Sequence, residues 1–210
     1  MTNGEKNRAC IRSCGLTSPS TFNIRASKFG AGGAFTLIEL LVVIAIIIVL
    51  AGLILSTVGY VQKKGARARA ETEIAAMSAA LESYKADNGI YPRDAATSDV
   101  LDARSSGNPT SYQSASLFLY TQLSGTNADR TPIAGAKSYF AFKPNQLSPS
   151  DQTLPVQFIR DPFGNSYGYS TANQFDPAKG YNPTFDLWST VGLTTTPPTT
   201  TVTAQWIKNW

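Results

Sequence analysis

With 210 residues, of which 42% are apolar, the chain is long enough for one globular domain with appendages, which excludes disorder throughout. Its formal charge of +4 comes from residues 1–34, because the rest of the chain carries 13 cationic and 13 acidic side chains. A neutral remainder argues against nucleic-acid binding by overall charge. Cys10 and Cys14 also lie in this basic segment, so no disulfide is expected in the folded part.

Residues 35–61 predict a transmembrane helix that follows a basic leader at residues 1–34. Glu39 is the only charged residue of this segment, and 13 of the 16 residues from Leu40 to Leu55 are Leu, Ile or Val. About 20 such residues are enough to cross a bilayer as a helix. A secretory signal peptide has a shorter apolar stretch, of about 7–15 residues, and then a cleavage site with small residues. We therefore expect the helix to stay attached to the mature protein.

The charges beside this segment do not predict its orientation. Arg25 and Lys28 precede it, whereas a group of four cations follows it. That group is Lys63, Lys64, Arg67 and Arg69. Cationic residues are usually enriched on the cytoplasmic side of a membrane helix, and here both sides carry them.

The segment from Gly32 to Ile46 reads GGAFTLIELLVVIAI. It resembles the processing signal of type IV prepilins and type II secretion pseudopilins, in which a basic leader is cut before a Phe and a Glu stands fifth in the mature chain. The resemblance implies cleavage between Ala34 and Phe35 by a prepilin peptidase on the cytoplasmic side, and methylation of the new amine of Phe35. Cleavage between Gly33 and Ala34 is the alternative, and it would make Glu39 the sixth residue.

Glu39 is the candidate assembly residue. A carboxylate in hydrocarbon is costly unless it is paired or neutralised. The resemblance implies that it pairs with the N-terminal amine of a neighbouring subunit during filament assembly. The alternative is a carboxylate that lies close enough to the interface to reach water or lipid headgroups.

Residues 62–87 predict an amphipathic continuation of the same helix. Apolar residues recur there at spacings of three and four, at Ala70, Ile74, Met77, Leu81 and Tyr84. We expect this stripe to face the sheet of the chain's own domain. Asn88 and Gly89 predict the end of the helix, and Pro92 prevents it from resuming.

Residues 88–210 predict an extracytoplasmic domain, which makes the fold class α+β: a long N-terminal helix packed on a small antiparallel sheet, as in pilins. We expect a short helix at 116–123 and strands at 137–143, 154–159, 166–170 and 184–189, the last three joined as an antiparallel sheet. The Thr-rich tail at 190–203 is expected to be extended or mobile, and the aromatic end at 205–210 is expected to dock on the domain.

Two further segments resemble type II secretion pseudopilins, and the major pseudopilin most closely. The segment Tyr84 to Pro92 is similar to the end of their long helix, and Asp161 to Tyr169 is similar to their Asp-Pro-aromatic-Gly-Asn turn. Major pseudopilins often bind calcium in a C-terminal loop, and the sequence from Asp186 to Ser189 matches its beginning. No Asp or Glu follows Asp186, although calcium sites generally include several carboxylates. Asp186 is therefore either a calcium ligand or a turn residue, and no other cofactor is expected.

The sequence thus predicts a structural protein and not an enzyme, since it has no histidine, no Gly-x-Ser-x-Gly motif and no phosphate-binding loop. We expect a subunit of a type II secretion pseudopilus or a type IV pilus-like filament. Its expected partners are further copies of itself, other pseudopilins, the prepilin peptidase and an inner-membrane assembly platform. We expect a single pass through the bacterial inner membrane, with a cytoplasmic leader. The alternative is a minor pilin that acts as a surface adhesin or binds an uptake ligand.

Overall fold

A computed structural model describes residues 35–210, without the side chains of residues 56 and 57. The predicted leader at 1–34 lies outside these described residues. The chain divides into two compact units, of which the first ends at Leu50 and the second covers Ala51–Trp210.

The long helix α1 runs from Leu37 to Asn88. It begins after Thr36, whose hydroxyl and carbonyl oxygens accept from the backbone N–H of Glu39 at 3.3 and 3.1 Å. It ends where Gly89 takes a φ of +80°, a conformation that glycine adopts without strain. The predicted helix, 35–87, differs from α1 by two residues at the start and one at the end.

The predicted apolar stripe of α1 lies in the core of the second unit. Ala70, Ile74, Met77 and Leu81 are each at most 4% exposed, and Tyr84 packs at the edge of the same cluster. The partners of this stripe come from the short helix α2 and from the strands described below. They include Leu119, Leu123, Tyr169 and Leu187. This packing of a long helix on small antiparallel sheets confirms the predicted α+β fold class.

Helix α2 spans Gln113–Ser124 and follows a 3-10 turn at Pro109–Tyr112. The Asn108 side chain caps this turn by accepting from the Thr110 N–H at 3.1 Å. Gly125 ends α2 with a φ of +69° and donates its N–H to the Thr121 carbonyl. The helix predicted at 116–123 is therefore confirmed, with three more residues at its start and one more at its end.

The strands form two sheets. A two-stranded sheet pairs β1 (Leu147–Ser148) with β2 (Phe158–Ile159). A three-stranded antiparallel sheet has the order β3-β4-β5, with β3 at Gly168–Ser170, β4 at Asp186–Ser189 and β5 at Ile207–Lys208. A second 3-10 turn, Pro144–Gln146, precedes β1, and two short helices, α3 (Ala172–Phe175) and α4 (Thr200–Thr203), complete the fold.

Three predictions for this region were wrong in part. The segment 137–143 is not a strand, because the N–H groups of Tyr139 and Phe140 both donate to the Leu123 carbonyl at the end of α2. The predicted sheet of three successive strands is divided, since β2 pairs with β1, and β4 lies between β3 and β5. The Thr-rich tail contains the helix α4.

The end of the chain completes a second, aromatic core. Trp188 of β4 is fully buried and lies parallel to Trp206, with ring centroids 6.3 Å apart, and Tyr112 meets its ring edge-on at 5.1 Å. A Cβ atom on Gly168 would overlap the Trp188 ring, so β3 needs glycine at this position. The predicted docking of the aromatic end is confirmed, since Trp206 and Ile207 are buried.

Candidate functional site

Residues 35–50, the described part of the first unit, form an exposed and largely apolar surface. Every residue from 35 to 50 is exposed, and the exposed fraction of its large apolar side chains ranges from 48% at Val42 to 82% at Leu37. Helix α1 is long and apolar enough to cross a membrane. Burial of each such side chain is worth about 1.5–3 kcal/mol. This surface therefore fits association with a membrane or with other apolar helices.

Glu39 lies in the first turn of α1. Thr36 and Glu39 have the spacing of a capping box, and the Thr36 hydroxyl accepts from the Glu39 N–H as that motif requires. A carboxylate in this turn also faces the positive end of the helix dipole. Thr36 is not among the predicted functional residues, although the Thr-x-x-Glu spacing before an apolar run indicates a helix cap.

Phe35 is the first described residue, directly before the cap of α1, and it is 81% exposed. Ala34 and Gly33, the other residues of the two predicted cleavage sites, lie outside the described part of the chain. Phe35, the predicted methylation residue, stands four positions before Glu39, the predicted assembly residue. The choice between the two cleavage sites stays a prediction.

Asp161 organises the turn that resembles the pseudopilin motif. Its Oδ1 accepts from the N–H groups of Phe163 and Asn165 at 3.0 and 2.7 Å, and its Oδ2 accepts from the Ser189 hydroxyl at 2.5 Å. Asp161 is 2% exposed, and this burial raises its pKa above the ordinary value, whereas the donors act in the opposite direction. The motif is thus a buried support that ties the turn to β4.

Asp186 also acts as an acceptor of backbone hydrogen bonds. Its Oδ2 accepts from the Tyr181 N–H and its Oδ1 from the Asn182 N–H, both at 2.8 Å. Burial raises the pKa of this carboxyl, and the Asn182 and Tyr181 donors offset part of that effect. Asp102 reaches the same turn, since its Oδ1 accepts from the Gly180 N–H at 3.0 Å. Two carboxylates therefore hold three successive N–H groups.

These residues fit a calcium ion poorly. Both oxygens of Asp186 already accept a backbone N–H group, which leaves only part of the carboxylate free for a cation. Calcium usually takes six to eight oxygen ligands. Across residues 35–210 there is no group of three or more His, Cys, Asp or Glu residues that could hold a metal ion. The geometry therefore favours Asp186 as the residue that fixes the turn at 180–182.

Comparisons with known proteins give two matches in the same region. The family of type II secretion system protein G matches residues 58–123. The type II secretion system core protein G of Pectobacterium carotovorum subsp. carotovorum is 37% identical over 70 residues. This match covers 31% of the chain and 45% of that relative, so the chain spans less than half the length of the relative it matches. No solved structure matches the chain.

Proposed function

We propose that this chain, which the two sequence matches support as a member of the pseudopilin family, is a non-catalytic structural subunit of a type II secretion pseudopilus. The observation that carries the proposal is the exposed apolar surface of α1 with one carboxylate in its first turn. Such a surface supports storage of the subunit in a membrane and later packing against the same helix of other subunits.

In this proposal, Glu39 pairs with a cation of a neighbouring subunit. Cleavage before Phe35 would create an ammonium group next to the positive end of the α1 dipole, where a cation is unfavourable. A carboxylate from a second subunit would neutralise that amine, and the amine would in turn neutralise the carboxylate in an apolar environment. Removing one partner of a buried ion pair costs about 3–5 kcal/mol. This cost supports Glu39 as a residue that controls assembly.

The further roles follow from the same proposal. The leader would be removed by a prepilin peptidase at Ala34–Phe35, with Gly33–Ala34 as the alternative site. The mature subunit would reside in the bacterial inner membrane as a single-pass protein and assemble with copies of itself and with other pseudopilins on a membrane platform. A minor pilin that binds a ligand is the alternative function, and it predicts incorporation at low copy number together with a ligand-binding activity.

The test is co-expression of the full chain with a prepilin peptidase and the secretion machinery. We expect mass spectrometry to find a mature chain that begins with methylated Phe35, and sheared filaments to contain the subunit. The substitution Glu39→Ala should leave membrane insertion and cleavage intact and reduce filament incorporation at least about tenfold. Glu71→Ala is the matched control, because Glu71 is an exposed carboxylate of the same helix whose pair with Arg67, at 3.6 Å, is worth little. Normal incorporation of the Glu39 variant would contradict the proposed role.

A further inference from the structure

A groove in the second unit combines cations with apolar walls. Its volume is about 530 Å³. One side is formed by α1 and the other by loops from the C-terminal half of the chain. The groove is lined by Tyr60, Lys63, Lys64 and Arg67 of α1 and by Phe163, Val191 and Leu193 of these loops.

The cations of the groove lack strong internal partners. In the described part of the chain, no carboxylate oxygen lies within 4.0 Å of the Lys63 or Lys64 amine, and Arg67 has only the exposed pair with Glu71 at 3.6 Å. Three positive charges thus line one cavity. Like charges held together repel each other, so an anion bound between them would lower the electrostatic energy.

The apolar wall opposite these cations is held in place by the core. Phe163 belongs to the turn that Asp161 fixes, and both Phe163 and its neighbour in the groove, Val191, pack against the main hydrophobic cluster. Val191 has a φ of +57°, which is uncommon for a β-branched residue and is maintained only where the surrounding structure enforces it. Leu193 extends this wall. A ligand that fits this groove therefore has an anionic part and an apolar part.

The position of the groove on α1 indicates which ligand has both parts. Tyr60 belongs to the uncharged run that ends at Gln62, and Lys63 and Lys64 follow directly. Tyrosine is enriched at the level of lipid headgroups, and lysine extends an apolar stem while its amine reaches the phosphate layer. If the run before Gln62 crosses the membrane, the groove opens at the headgroup layer.

We infer that this groove binds an anionic phospholipid, with the phosphate diester near Lys63, Lys64 and Arg67 and the glycerol and upper acyl carbons against Phe163, Val191 and Leu193. The inference rests on the membrane span of the proposed function and concerns the subunit before it enters a filament. It also explains the cations that follow the span: they retain a bound lipid, independently of any effect on orientation.

The experiment uses the full chain, purified in a neutral detergent and supplied with phosphatidylglycerol or phosphatidylcholine. Native mass spectrometry measures the fraction of protein that retains lipid. We expect preferential retention of phosphatidylglycerol, with an affinity about 20- to 30-fold lower in the variant Lys63→Gln/Lys64→Gln, because each cation near a lipid surface contributes about fivefold. The matched control is Lys143→Gln/Lys179→Gln, which removes the same charge outside the groove and should retain the lipid.

Two further measurements distinguish lipid binding in the groove from nonspecific attraction between the cations and an anionic lipid. Leu193→Gln removes apolar contact without changing charge, and we expect it to weaken phosphatidylglycerol retention as well. Unchanged retention in this variant, or an equal loss in the control pair, would overturn the inference. Equal binding of free glycerol phosphate would also overturn it, since that result would indicate an anion site without a lipid. Cleavage before Phe35 is measured in the same variants, so failure of the lipid site can be distinguished from failure of the proposed function.

Discussion

Asp161 shows how a single buried carboxylate can support a motif that reads in sequence only as a turn. Its two oxygens accept three hydrogen bonds, from Phe163, Asn165 and Ser189. The Pro, Gly and Asn that surround it predict the turn, but they do not predict the contact with β4, which is 28 residues away. The carboxylate therefore has a long-range role that local turn preferences do not reveal.

Replacing Asp161 with Ala should lower the free energy of unfolding by about 2–4 kcal/mol, because the buried Ser189 hydroxyl and two part-buried backbone N–H groups would lose their acceptor. The measurement is urea unfolding of the full chain in detergent, monitored by tryptophan fluorescence. All three tryptophans of the chain, Trp188, Trp206 and Trp210, lie in the C-terminal aromatic core and report on the second unit. Asp151→Ala is the control, since the Asp151 carboxylate accepts from Thr153 in a similar turn but is exposed. Equal losses in both variants would contradict the buried role of Asp161.

Asp186 provides a prediction about pH. Because burial raises its pKa above the ordinary value of 3.8, the folded state binds the proton more tightly than the unfolded state does. Its contribution to stability therefore improves as the pH falls from neutrality toward 3.8, and it worsens as the pH rises. Relative to Asp186→Asn, which cannot ionise, the unsubstituted chain should gain stability over that range in urea unfolding at several pH values. If the free energy of unfolding of the two proteins had the same pH dependence, the pKa of the Asp186 carboxyl would not differ between the folded and unfolded states.

At the scale of elements, the loop between β4 and β5, which follows Asp186 in the chain, contains no carboxylate. Since Asp186 and Asp102 already hold the turn at residues 180–182, we expect that removing calcium leaves this region folded. The thermal midpoint of the full chain, measured by tryptophan fluorescence, should change by less than about 2 °C between excess EDTA and excess calcium. A tightly bound ion would raise the midpoint by several degrees, since ligands stabilise the state that binds them.

Strand β3 depends on the absence of a side chain at Gly168. The substitution Gly168→Ala should destabilise the second unit by about 1–3 kcal/mol or more, because the new methyl group would overlap the Trp188 ring. Gly65→Ala is the control, and we expect it to raise the free energy of unfolding instead of lowering it. Gly65 lies within α1 with no atom within 4 Å of a Cβ, and alanine there should add up to about 1 kcal/mol through helix propensity. Urea unfolding of the two variants measures both changes in the free energy of unfolding. A Gly168→Ala variant as stable as the unsubstituted chain would contradict the close contact between Gly168 and Trp188.

The elements that could be predicted are those whose residues show a pattern over several neighbouring positions of the sequence. The stripe from Ala70 to Tyr84 repeats over four turns, and its burial was predicted correctly. By contrast, β1 and β5 are two residues long, which is too short for an alternating pattern, and both were missed. The segment 137–143 has aromatic residues typical of a strand, yet its backbone bonds to the end of α2, a contact that no local pattern encodes. At the candidate site, the proposed processing motif is a contiguous segment, and its role stays a prediction. The groove is assembled from residues 60–67, 163 and 191–205, which lie far apart in the sequence, so no local pattern predicts it.

At the scale of the whole molecule, the second unit should unfold as one body, because its contacts join distant parts of the chain. Tyr167 donates to Glu73 of α1 across 94 positions, and Tyr169 donates to the Pro92 carbonyl across 77. The substitution Trp206→Ala should therefore cost about 3–5 kcal/mol and reduce hydrogen-exchange protection in α2 and β3 together. A loss of protection confined to residues 200–210 would show that the C-terminal segment is an independent unit.

The pairing of β5 with β4 also has a consequence for the time at which this protein can fold. The ribosome adds about 5–20 residues per second, so Ile207 leaves it roughly 7–30 s after Ala70, although both residues belong to the same core. Until then the aromatic core lacks Trp206, and the three-stranded sheet lacks an edge. The apolar start of α1 is therefore synthesised well before the residues that complete the core of the second unit, so this core can close only when almost the whole chain has left the ribosome.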